Sequence, residues 1–210
     1  MKMEKNAFNL LRSIPGYILN PAETYEKNRN EGYSYAITIF VILYAAIFLL
    51  SGLLLVIYDI LSGRTNDPQF FLLWFGLYGL FRSSVEIPVI VFIIHFASKL
   101  GNKKVGFADS FKIAFVGYAF FIFIIGLITV IDGLLRSIFS VNYAAGLKYF
   151  VDYPLYILAT LCFIRVAAEG IRALHGLSKR KSYAIAVISI LAAYFAMRLV
   201  WFLIVDLFLV

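Results

Sequence analysis

Four stretches of the chain run apolar far enough to cross a lipid bilayer, a fifth reaches that length by enclosing charges, and polar or charged clusters separate them. A helix needs ~20 mostly apolar residues to span the hydrocarbon core. On that measure the sequence predicts spans over about 34–58, 70–97, 111–131, 150–171 and 182–207. Asp59 closes the first, and the second encloses Arg82 and Glu86. The third is free of charge from Ile113 to Ile131, and the last, from Ser182 to Val205, is interrupted only by Arg198. The fourth reaches full length only by enclosing Asp152, Arg165 and Glu169.

Ahead of these spans the pattern changes. Phe8, Leu11, Ile14 and Ile18 recur at helical spacing, with Leu10 and Tyr17 beside them and a more polar opposite face. That is the pattern of an amphipathic helix lying in the headgroup region. Asn20-Pro21-Ala22-Glu23 then reads as a helix start. Asn20 can cap, Pro21 suits the first turn, and Glu23 takes the capping-box position. The short helix is expected to run to about Asn30, ended by Gly32. Turns are expected at Ser62-Gly63, Asn66-Asp67-Pro68 and Gly101-Asn102, with a short surface helix within Asp132 to Tyr149. The fold class is therefore all-α and polytopic. Residues 1–33 form amino-terminal interfacial helices, and residues 34–210 a five-helix transmembrane domain.

Composition agrees with lipid as the solvent. Of 210 residues, 62% are apolar and 15% charged, with a mean hydropathy of +0.89, against the ~25% charged residues of soluble domains. Cys162, the single cysteine, cannot form an intramolecular disulfide and reads as a small buried hydrophobe. Lys2, Glu4, Lys5, Arg12 and Pro15-Gly16 break up the first stretch, so a cleavable signal peptide is not expected.

Charge then orients the spans, because cytoplasmic loops are enriched in Lys and Arg. With five spans and the amino terminus inside, the cytoplasmic face collects Lys2, Lys5, Arg12, Lys27, Arg29, Lys99, Lys103, Lys104, Lys112, Arg172, Lys179, Arg180 and Lys181. The other face holds Arg64, Arg136 and Lys148. Omitting the fourth span would export Lys179, Arg180 and Lys181 and spoil that bias. The carboxyl terminus is thus expected outside, the membrane being the cell membrane. Lys103, Lys104, Lys179, Arg180 and Lys181 form a basic rim suited to anionic lipid. Nucleic acid is not an expected partner, since these charges sit against the membrane.

The charges inside the spans are the candidate chemistry. Arg82 and Glu86 bracket the middle of the second span, one helical turn apart, and can pair. Arg198 falls somewhat outside the midplane and Arg165 somewhat inside it. Ionisable groups at this depth are costly and should face protein or a water-filled cavity. Three readings stay open for Arg82, Glu86, Arg165 and Arg198. In the first, Glu86 clamps the second span to the fourth or fifth. In the second, the excess guanidiniums bind a phosphate or carboxylate. In the third, they line an ion or proton path. Pro88 is placed to kink this helix beside the pair. Ser189, Ala192, Ala193 and Ala196 give the last span a small-residue face, for bundle packing or for a dimer. No His-Glu-x-x-His, Gly-x-Ser-x-Gly or phosphate-loop motif is present. His95 and His175 are expected as surface or interface residues near the cytoplasmic boundary, and neither metal nor cofactor is expected.

Three groups of short motifs add a resemblance. Asn20-Pro21 with Thr24-Tyr25-Glu26 resembles the opening signature of the Yip family of five-span membrane proteins. Lys99-Leu100-Gly101 through Phe111, then Val116-Gly117-Tyr118-Ala119, resembles the family's second loop and third span. Glu169-Gly170, His175-Gly176-Leu177-Ser178 and Ala184 resemble its fourth loop and fifth span. The resemblance covers most of residues 18–208 and implies a role in organising membranes. Eukaryotic members are associated with vesicle trafficking and prenylated small GTPases. Two departures keep GTPase binding from being carried over. Only about 33 residues precede the first span, where those proteins have a long cytosolic region. Phe120 and Phe121 stand where the family often has a proline. A compact, prokaryote-like member fits these features. The expected function is non-enzymatic, through contacts with membrane lipids or a cytoplasmic protein partner. The alternative is a small transporter or channel with an intramembrane anion site. Oligomeric state is not legible.

Overall fold

The computed structural model describes residues 2–62, 68–138 and 153–208. Among them are seven helices and no strand: α1 (Lys2–Leu19), α2 (Pro21–Lys27), α3 (Tyr33–Ser62), α4 (Pro68–Gly101), α5 (Phe107–Ile138), α6 (Tyr153–His175) and α7 (Lys179–Phe208). Five of them take the places of the five expected spans, and most run several residues past them. Four, namely α3, α4, α5 and α7, are long and apolar enough to cross a membrane. α6 has 23 residues but carries Arg165, Glu169 and Arg172. The expected turn around Ser62-Gly63 and Asn66-Asp67 and most of the Asp132–Tyr149 link lie outside the described residues.

α5 is the packing centre. It lies against α3, α4 and α6, while α7 closes the bundle against α4 and α6. Its apolar window is 67% buried, against 28–39% in the other three, because small residues let neighbours approach. A methyl group on Gly126 would overlap Ile47 of α3, so only glycine fits there. Ser189 and Ala193 of the small-residue face are fully buried in the bundle. The outer surface is the reverse of a soluble protein's. Leu49 is 70% exposed, Phe195 67% and Phe202 60%. Such continuous apolar exposure is stable only against lipid.

The amino-terminal helices cover one end of this bundle. α2 packs on α6, and α1 touches α2, α3 and α6. Leu10 and Tyr17 of α1 face the protein and are buried, whereas Ile18 is exposed. The side chains of Phe8 and Leu11 lie outside the described residues. α2 is shorter than expected, ending at Lys27, and Asn20 makes no side-chain cap. Instead its carbonyl accepts from the Thr24 N–H at 3.0 Å and the Thr24 hydroxyl at 2.9 Å. α4 passes through Pro88 as one helix.

Candidate functional site

The expected ion pair forms inside α4. Arg82 Nε donates to Glu86 Oε1 at 2.7 Å, as one-turn spacing allows. The second carboxylate oxygen accepts from the Tyr118 hydroxyl of α5 at 2.5 Å. Glu86 is 1% exposed and thus holds a guanidinium and a phenol at once. The interhelical partner therefore comes from α5, rather than from the fourth or fifth span as expected, because α5 is the helix packed across this face of α4. Sequence reasoning missed Tyr118. A tyrosine in an apolar run carries no mark that separates it from the belt of interfacial tyrosines.

Two cavities share this ion pair as a wall. One, of about 420 Å³, runs between α4, α6 and α7 and is bounded by Arg82, Glu86, Tyr156, Ile157, Leu161 and Leu191. The other, of about 290 Å³, is lined by Arg82, Glu86, Tyr194, Met197, Arg198 and Trp201. Arg198 is thereby brought to the pair. Its Nε donates to the Tyr194 hydroxyl at 3.0 Å, and its guanidinium lies 5.3 Å from that ring's centre. Arg165 is placed elsewhere. Its guanidinium donates to the Leu19 carbonyl at 3.2 Å, at the carboxyl end of α1.

Lys112 does the same for α2. Its ammonium donates to the carbonyls of Asn28 and Arg29 at 3.0 and 2.9 Å, and only 2% of the residue is exposed. Arg165 thus reaches a carbonyl at the end of α1, and Lys112 holds two carbonyls just past α2, of which that of Asn28 also accepts from the Glu31 N–H at 3.1 Å. Between them Tyr17 and Tyr25 stack edge to face at 4.8 Å, both fully buried. Burial first, then the facing Tyr25 and Tyr35, holds the Tyr17 phenol protonated far above its usual range.

The two histidines take the interface of the two places expected for them. His95 and His175 are buried, not at the surface, and the Ser110 hydroxyl stands between them at 3.3 and 3.4 Å. Asn102 Nδ2 donates to the His175 carbonyl at 2.8 Å, joining the α4–α5 turn to the α6–α7 turn. Gly176 makes that second turn at φ +66°, a conformation that favours glycine. Burial, then neighbouring His95, pulls the His175 imidazole down to about 4. Among the described residues, no three His, Cys, Asp or Glu side chains gather as metal ligands do.

The basic rim is open. Lys99, Lys103, Lys104, Lys179, Arg180 and Lys181 are all exposed, and none pairs with a carboxylate among the described residues. Lys179 sits 6.0 Å from the Tyr183 ring centre. Leu100, between these lysines, is 92% exposed.

A bundle of long helices with an apolar outer surface, a carboxylate held among its spans and a basic end defines an integral membrane protein. The Yip1 domain family model matches residues 16–202, and the chain belongs to that family. The motif resemblance thus extends over nearly the whole chain. Comparison with curated proteins gave no match, and comparison with solved structures gave none either.

Proposed function

We propose that this Yip1-domain protein is a non-enzymatic organiser of membranes that works through lipid and protein contacts at its basic end. In this reading α6 is a fifth span and α1 lies along the membrane surface. The basic end faces the cytoplasm, and the carboxyl terminus lies on the other side of the cell membrane. The observation that carries the reading is the open rim. Six exposed cations without a carboxylate partner among the described residues lie at the same end as the exposed Leu100, so the rim offers charge and an apolar anchor to an anionic surface.

Vesicle clustering tests it. Proteoliposomes with the basic end outward should cluster anionic acceptor vesicles at low salt and release them as ionic strength rises. A variant with Lys179, Arg180 and Lys181 all changed to Gln should lose most of this activity. Equal clustering by both proteins would remove the rim from the function.

The cavities beside Glu86 favour a second reading, a small transporter or channel with an anion site at Arg82, Glu86 and Arg198. Reproducible anion flux into proteoliposomes, abolished by Glu86→Gln, would replace the first reading with this one.

A further inference from the structure

We propose that the cleft between α4, α6 and α7 binds one anionic lipid from the outer leaflet. Its phosphate head would sit at Arg198 in the smaller cavity and one acyl chain along Ile157, Leu161 and Leu191 in the larger, the two cavities sharing Arg82, Glu86 and Tyr194 in their walls. The assignment of a leaflet rests on the five-span reading above; the site itself does not.

Charge selects the head. Among the described residues, the pocket lined by Arg82 and Arg198 holds one carboxylate, Glu86. Glu86 is already engaged by Arg82 and Tyr118. Arg198 has no carboxylate partner among the described residues, and its one hydrogen bond uses Nε. A guanidinium has five N–H donors, and lipid tails cannot accept from them. A phosphate can, with two parallel bonds.

Position and shape select a lipid over a free ion. At a helical rise of ~1.5 Å per residue, Arg82, Tyr156 and Arg198 each lie ~28 Å from the basic ends of α4, α6 and α7. They form one level, in the outer half of the bilayer. Trp201 and Tyr153 lie one turn further out, as amphipathic rings do near a headgroup boundary. Below that level the cleft is lined mostly by apolar residues and reaches Ile190 and Leu191 on α7, with Glu86 and Thr160 as its polar members. Its volume of about 420 Å³ suits one chain, and leaves the second in the bilayer.

Native mass spectrometry from nanodiscs of phosphatidylcholine with a minor share of phosphatidylglycerol tests the site. Wild type should retain phosphatidylglycerol over phosphatidylcholine. Arg198→Gln should lower that retention about tenfold, as loss of one charge-assisted contact does. Leu191→Trp leaves every charge in place, fills the cleft and should lower it as well. Retention unchanged in both variants, or no preference between the two lipids, would overturn the proposal. So would inorganic phosphate that binds wild type and Leu191→Trp alike and displaces the lipid, since that marks a small-anion site. Labelling the carboxyl terminus reports topology separately. A terminus found on the cytoplasmic side would overturn the five-span reading, while Arg198-dependent retention would still support the lipid site.

Discussion

A carboxylate buried among lipid-facing helices needs donors to replace the water it has lost. Glu86 has two, from Arg82 and from Tyr118. Glu86→Gln leaves a guanidinium without its counter-charge and should cost about 3 kcal/mol, as breaking a buried pair does. Tyr118→Phe removes a single hydrogen bond to a charged group and should cost about 1.5 kcal/mol or more. Thermal unfolding in detergent should therefore rank wild type above Tyr118→Phe and Tyr118→Phe above Glu86→Gln. Unchanged melting in Glu86→Gln would mean the pair holds nothing together. His175 gives a pH test. Its folded value of about 4 lies below the usual 6.5, so the unfolded chain takes up the proton first. Stability should hold above pH 6.5 and fall as pH drops from there towards 4, and His175→Asn should flatten that slope. The Arg82–Glu86 pair was legible because helical spacing alone brings the two together. Tyr118 was not, since its contact depends on how α4 and α5 rotate against each other. The histidines were half legible. Their places near span ends left surface and interface open, and the meeting of the two turns around Ser110 and Asn102 buries them at an interface.

At the scale of elements, hydrophobic run length located the helices well, because lipid imposes a minimum length that a soluble protein does not. It could not set their ends, since α3, α4 and α5 continue beyond their apolar segments as regular helix. Nor could periodicity reveal that α1 and α2 are latched to the bundle. Arg165 and Lys112 read in the sequence as a membrane charge and a topogenic charge. Each instead donates to carbonyls at or just past the end of an amino-terminal helix. Lys112→Met should free α2 and speed proteolysis before Tyr33, while the bundle's own melting changes little. Gly170 gives a steric counterpart. A methyl group there would meet the Tyr25 ring at 2.7 Å and Ile113 at 3.0 Å. Gly170→Ala should therefore loosen α2 from α6, at a cost of about 1–3 kcal/mol. Protease resistance equal to wild type in both variants would show the latch to be dispensable.

For the whole molecule, one end gathers the amino-terminal helices, the buried histidines and the open lysines, and the opposite half holds Arg82, Arg198 and their cavities. The basic rim belongs to contacts with an anionic surface, and the cavities to a lipid or an anion within the bilayer. Both assignments depend on α6 crossing the membrane despite its three charges. Arg165 answers part of that difficulty by reaching the end of α1, and Arg172 by pairing with Glu169 at 3.2 Å. Labelling of single cysteines in a Cys162→Ser background tests this most directly, with one cysteine replacing Lys103 and another appended to the carboxyl terminus. Five spans predict that an impermeant reagent applied outside intact cells labels the appended cysteine and spares position 103. Labelling of neither site, with both reached only after lysis, would place the two on one side and contradict α6 as a span.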